Sequence, residues 1–253
     1  MRADVFLVDS GHATTRSQAQ RLIAAGVQWR LSPGAPWQKV AKNGDDIPAI
    51  AEVELLDAAE ARYLSRGGLK LEGALAAAGL EVTGLRCLDV GQSTGGFTDC
   101  LLQHGATRVY SVDVGYGLLD WKLRQDPRVV VLERTNARHL SAAHIPEPID
   151  LAVIDASFIS LALLFPPLLP LFRSAVRILA LVKPQFQLPR EKIGRGGIVS
   201  DAALHDEALA MVRGFGDAHE LTCAGVTASP VRGAKGNQEF LMLLTGPSPV
   251  KQQ

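Results

Sequence analysis

Residues 87–98 read Cys-Leu-Asp-Val-Gly-Gln-Ser-Thr-Gly-Gly-Phe-Thr, an apolar run that breaks into a glycine-rich turn and resumes as an amphipathic stretch. Arg86 to Val90 suits a buried strand. Gly91, Gly95 and Gly96 allow a tight turn and let a ligand approach the backbone, and the following helix points its first amides into the gap. The dinucleotide fingerprint is Gly-x-Gly-x-x-Gly, whereas this loop reads Gly-x-Ser-Thr-Gly-Gly, which favours a different adenosine ligand. A second apolar strand, Val109 to Val112, ends in Asp113, about twenty residues past the glycines, where a carboxylate accepts hydrogen bonds from ribose hydroxyls. Taken alone, the pattern also fits an ordinary strand, turn and helix.

Working outward, strands and helices alternate from Tyr63 onward. Leu69–Ala78 reads as a helix. Strands follow near Leu88, Val109, 129–132, 151–154 and 178–182, then a helix over 201–215 and two late strands near 221–228 and 239–244. This order predicts an α/β fold: a doubly wound, Rossmann-like sheet with helices on both faces, ending in an antiparallel pair. A ligand then sits at the diverging carboxyl ends of the strands, where Asp89, Asp113, Asp155 and Asn136 fall.

The first sixty residues differ. A short helical pattern at Asp4–Val8 precedes cap residues 14–17 and the helical run 18–25, which Gly26 ends; short strands near 27–29, 39–40 and 53–55 follow. This predicts a small α+β domain over residues 1–60, a link at 58–62 and a larger domain over 61–253. Residues 1–42 carry six basic against two acidic side chains. Arg16 and Arg21 on the helix, with Arg2 and the nearby Trp29 and Trp37, suit a phosphate backbone and stacking bases; a solvated helix face over a small core is the alternative. The element order resembles the small RNA-binding module first known in a ribosomal small-subunit protein.

The 253 residues balance Lys+Arg 26 against Asp+Glu 26, so a nucleic-acid partner requires a local patch. Three scattered cysteines and six dispersed histidines predict neither disulfides nor a metal site. With no signal-peptide pattern at Met1, the expected location is the cytoplasm. The apolar segment 158–172 is interrupted by Pro166, Pro167 and Pro170 and is shorter than the roughly 20 residues of a spanning helix, so a core helix and strand are expected, not membrane insertion.

Lys70, Asp155, Lys183 and Glu239 stand at strand ends, two cations and two anions that would converge. In order and context they resemble the Lys-Asp-Lys-Glu tetrad of FtsJ-type 2'-O-ribose methyltransferases. The blocks around Arg66 to Leu71, the Gly91 loop, 112–117, 133–138, 155–160, 182–186 and 229–239 are similar to those of the TlyA family, ribosomal RNA 2'-O-methyltransferases often labelled haemolysins. The resemblance implies a class I methyltransferase fold and S-adenosylmethionine as methyl donor. It implies a donor site of Asp89, Gly91, Ser93, Thr94, Gly95, Gly96, Phe97, Asp113, Asn136 and Ala137, with Arg2, Arg16, Arg21 and Arg66 on RNA. Gln92 stands where the family more commonly has a small residue. Because a ribose hydroxyl must lose its proton to attack, a base is needed. Lys183 is the candidate, its neutral form favoured by burial and by Lys70 as a second cation. Asp155 and Glu239 orient the lysines, and Lys70 stabilises the developing alkoxide. In the family, longer members with an extra amino-terminal segment are the ones associated with both subunits, and this chain opens directly at its RNA-binding helix, so the resemblance implies a cytidine in large-subunit RNA ahead of small-subunit RNA. Two other classes fit parts of the sequence: a membrane-acting haemolysin, opposed by the prolines, and a non-catalytic RNA-binding assembly factor, opposed by the tetrad.

Overall fold

The computed structural model describes residues 1–56, 62–233 and 235–248. Most of the expected link at 58–62, the expected boundary at residue 60, and Ala234 lie outside them. The chain divides into two compact units, Met1–Leu69 and Lys70–Gln253.

In the first unit, α1 (Ala3–Asp9) and α2 (Arg16–Gly26) lead into β1 (Val27–Arg30), which pairs antiparallel with β2 (Gln38–Lys39) and β3 (Glu52–Leu55) in the order β2-β1-β3. The start of α2 is set by reciprocal bonds. Thr15 Oγ1 accepts from Gln18 N at 3.2 Å, and Gln18 Oε1 accepts from Thr14 N at 2.7 Å, a variant of the capping box. Phe6, Leu7, Leu22, Ile23, Val27 and Ile47 close a small core.

The second unit takes up most of α3 (Arg66–Ala78) and then alternates: β4 (Arg86–Val90), α4 (Gly96–Gln103), β5 (Arg108–Val112), α5 (Trp121–Gln125), β6 (Val129–Leu132), β7 (Leu151–Ile154), α6 (Phe165–Leu168), β8 (Ala175–Val182), α7 (Pro184–Gln187), α8 (Ala202–Asp217), β9 (Thr222–Ala228) and β10 (Phe240–Pro247). The seven strands lie in the order β6-β5-β4-β7-β8-β10-β9. Neighbours from β6 to β8 are parallel, and β10 is antiparallel to both β8 and β9. The order reverses between β4 and β7, where an open α/β sheet places its ligand crevice. Successive residues Cys87, Leu88, Asp89 and Val90 are all buried, so both faces of the central strand are covered. Leu88, Val90, Tyr110, Val112, Ile154, Ile178 and Ala180 share one core with Phe165, Phe172, Leu209 and Val212.

The doubly wound expectation holds, with one refinement: the late antiparallel strand is inserted between β8 and β9. The apolar segment 158–172 forms no single helix but short helical pieces at 161–163, 165–168 and 169–171, the last two carrying their prolines in the first turn, because a proline farther in would lack the N–H for the helical bond and clash with the preceding turn. Among the described residues, no helix is long and apolar enough to cross a membrane.

Candidate active site

The loop leaving β4 is wound by three left-handed residues, Gly91 at φ 88°, Ser93 at 48° and Gly95 at 99°. A Cβ on Gly91 would stand 2.6 Å from the Asp155 carbonyl oxygen, so only glycine lets the loop lie against the end of β7. Backbone bonds tie the loop to β5: Gly91 N and Gln92 N both donate to Val112 O, at 2.9 and 3.2 Å. Asp113, one residue past β5, holds the turn from its other side. Its Oδ2 accepts from Ser93 N at 3.0 Å and its Oδ1 from Gly115 N at 2.7 Å. Each oxygen keeps a further lone-pair direction for a ligand hydroxyl.

Beside this loop lies a cavity of about 650 Å³, within the range of small-molecule sites. Of the expected donor residues, Gly91, Ser93, Asp113, Asn136 and Ala137 line it; Asp89, Thr94, Gly95, Gly96 and Phe97 do not. Phe97 is buried in the core. A Cβ on Gly95 would stand 2.2 Å from Leu123 Cδ1, which lets α5 close over the start of α4. Asp89 is fully buried: its Oδ2 accepts from Thr98 Oγ1 at 2.7 Å, and Thr98 Oγ1 lies 2.8 Å from Ser111 Oγ. Burial pushes the Asp89 carboxyl up to about 7, against the Thr98 bond, which pulls it down. Gln92 is buried with neither side-chain polar atom hydrogen-bonded to the described residues, and nothing else in the structure explains it.

The four charged residues converge as two pairs. Lys70 Nζ donates to Glu239 Oε2 at 2.5 Å, with both side chains buried. Lys183 Nζ forms an ion pair with Asp155 Oδ1 at 2.6 Å and donates to Ser157 Oγ at 2.8 Å. Strand register explains the convergence. Ile154 is aligned with Ala180 and Val182 with Phe240, so Asp155, Lys183 and Glu239 all fall at one edge of the sheet. Lys70, on α3, reaches Glu239. Each lysine thus has its own carboxylate, Lys70 with Glu239 and Lys183 with Asp155. Among the described residues there is no group of three or more metal-binding side chains.

The FtsJ-like methyltransferase model matches residues 63–245. The chain belongs to this family. It is 45% identical over 243 residues to the "16S/23S rRNA (cytidine-2'-O)-methyltransferase TlyA" of Mycobacterium tuberculosis, covering 96% of this chain and 89% of the relative. It is 36% identical to "Hemolysin A" of Brachyspira hyodysenteriae, covering 95% and 98%. Among solved structures, a candidate hemolysin from Streptococcus thermophilus is 41% identical, covers 97% of this chain and 88% of its own, and superposes with a TM-score of 0.75.

In this FtsJ-like chain, the residues that sequence reasoning passed over are aromatic. Phe158 is 89% exposed at the cavity wall, at φ 61°, a backbone conformation rare for a bulky side chain. Its ring stands 4.9 Å from that of Phe186, tilted by 47°, and Lys183 Nζ lies 6.0 Å from the Phe186 centroid. Both phenylalanines sit in blocks singled out in the sequence, where Phe158 opens the apolar run that reads as core. In the first unit, Arg2 forks onto buried Asp4 with two 3.0 Å bonds, and Arg16 approaches it at 3.6 Å. The Arg2 guanidinium holds the Asp4 carboxyl below the usual range. Arg2 and Arg16 remain more than half exposed, so both can also face phosphate. Arg66 is exposed and Arg21 half-buried. The expected aromatic surface is partly taken: Arg30 covers the face of Trp37 at 4.4 Å, and Trp29 packs on the small core.

Proposed function

We propose that the protein methylates the 2'-hydroxyl of a cytidine in ribosomal RNA, in the cytoplasm where that RNA resides, with S-adenosylmethionine as donor. The observation that carries this reading is the pairing of Lys183 with Asp155, and of Lys70 with Glu239, at the carboxyl ends of the strands, with Asp155 itself on the wall of a nucleoside-sized cavity. The name of the M. tuberculosis relative supplies the substrate class, and its mention of both subunits extends the reading from large-subunit RNA to small-subunit RNA.

The residues present fit the donor. The Gly91 loop offers backbone without a side chain at its closest approach, Asp113 presents a carboxylate fixed by two amides, and the missing dinucleotide pattern suits a ligand without pyrophosphate. Asp113 would hold ribose hydroxyls, with Asn136 and Ala137 beside the adenine. When bound, the donor supplies an electrophilic methyl group. The protein's own part is to hold the ribose hydroxyl and move its proton. Lys183 Nζ, in its unprotonated form, takes that proton, Asp155 pairs with the ammonium so formed, and Lys70, held by Glu239, stabilises negative charge on the oxygen. Phe158, with Phe186 behind it, offers a face on which an unpaired base stacks. The exposed Arg2, Arg16 and Arg66, with the half-buried Arg21, hold backbone phosphates.

Lys183→Ala tests the assignment. Methyl transfer should fall by about 10²–10⁴, the span of general-base catalysis, while donor affinity measured by calorimetry stays near that of the parent. Unchanged turnover would contradict it.

A further inference from the structure

We propose that Ser157 is a positioning residue that aims the Lys183 lone pair at the ribose hydroxyl. This rests on the reading of Lys183 as the proton acceptor. Nothing in the tetrad assigns Ser157 a part, yet its Oγ accepts from Lys183 Nζ at 2.8 Å while Asp155 Oδ1 lies 2.6 Å from the same nitrogen.

A neutral amine has two N–H bonds and one lone pair, and rotation about Cε–Nζ otherwise exchanges the three corners. The Asp155 contact is an ion pair without hydrogen-bond geometry, since its Oδ1 accepts from no donor among the described residues, so Asp155 alone does not fix the corners. Ser157 Oγ takes one N–H along a defined direction and the Asp155 carboxylate draws the second toward itself, which leaves the lone pair the corner facing away from both. The geometry comes from a single short loop, since Asp155 and Ser157 are two residues apart directly after β7, and both line the cavity. The loop bends at the very next residue, Phe158, in its left-handed conformation, so strain is accepted here to place these side chains.

In the step itself the 2'-O–H bond breaks, its electron pair stays on oxygen for the attack, and the proton becomes the third N–H of Lys183. The two existing N–H bonds need not move. Ser157 therefore acts through Lys183 and does not exchange a proton.

The test compares Ser157→Ala, Ser157→Thr and Lys183→Ala in steady-state methylation of ribosomal RNA. Ser157 is exposed, so alanine removes little packing. Loss of one hydrogen bond to the amine predicts a fall in kcat of about tenfold or more, with the KM for RNA and the affinity for donor unchanged. Ser157→Thr, which keeps the hydroxyl, should return kcat to within about threefold. Parent-like kcat in Ser157→Ala alongside an inactive Lys183→Ala overturns the positioning role alone. So does a loss that appears in KM, or an equal loss in the threonine and alanine variants. An active Lys183→Ala overturns the underlying assignment of the base.

Discussion

Glu239 is packed so closely that its environment leaves no room for a methyl group. A Cβ on Gly233 would stand 2.3 Å from Glu239 Oε1, so glycine there makes space for the carboxylate that holds Lys70. Gly233→Ala should displace that carboxylate and loosen a buried pair whose disruption costs about 3–5 kcal/mol. The expected result is a lowered melting temperature together with lost methyl transfer, and parent-like values of both would refute the role. Phe158 makes the opposite case, an aromatic ring held out to solvent beside the reacting groups. Stacking on one base contributes about 1–3 kcal/mol. Phe158→Ala should therefore raise the KM for RNA by about 5–150-fold without changing donor affinity, and an unchanged KM would remove Phe158 from RNA contact. Neither residue stands out in the sequence. Phe158 opens an apolar run that reads as core, and its positive φ is invisible there, while Gly233 is one of several glycines in a loop.

Elements were legible where one local rule decides them. β4, β5 and β7 are short apolar runs ended by glycine or aspartate, and α2 carries its cap in Thr15 and Gln18. The insertion of β10 between β8 and β9 was not legible, because pairing order is set by long-range packing. That insertion is what places Glu239 beside Lys183. Asp89 was also misplaced relative to the cavity, since a carboxylate at a strand end reads as a ligand contact, whereas here it ties β4 to α4 and β5 through Thr98 and Ser111. Its raised pKa has a thermodynamic sign. Between the ordinary carboxylate value near 4 and about 7, the folded chain holds a proton that the unfolded chain has released, so stability falls as pH rises through this window. Asp89→Asn keeps an acceptor for Thr98 and removes that dependence, on the order of 1 kcal/mol per pH unit. Denaturant melts between pH 5 and 8 should show a flatter profile in the variant, and parallel profiles would contradict the buried-acid account.

At the scale of the whole molecule, a unit with exposed arginines accompanies a methyltransferase unit whose strand ends carry the Gly91 loop and, with α3, both ion pairs. Overall neutrality, Lys+Arg 26 against Asp+Glu 26, gives RNA binding no global pull. In the proposed reading, recognition rests on local arginines and on the aromatic face, and proton removal on Lys183. The chemistry leaves a mark of its own. Methylation of a 2'-oxygen removes the nucleophile that cleaves RNA in alkali, so the modified linkage survives hydrolysis, whereas methylation of a base leaves the linkage labile. The most direct measurement is alkaline mapping of ribosomal RNA incubated with the protein and S-adenosylmethionine. The account predicts an alkali-resistant linkage at a cytidine that is absent when Lys183→Ala replaces the parent; methyl incorporation with every linkage still alkali-labile, or a resistant linkage that persists with Lys183→Ala, would contradict it.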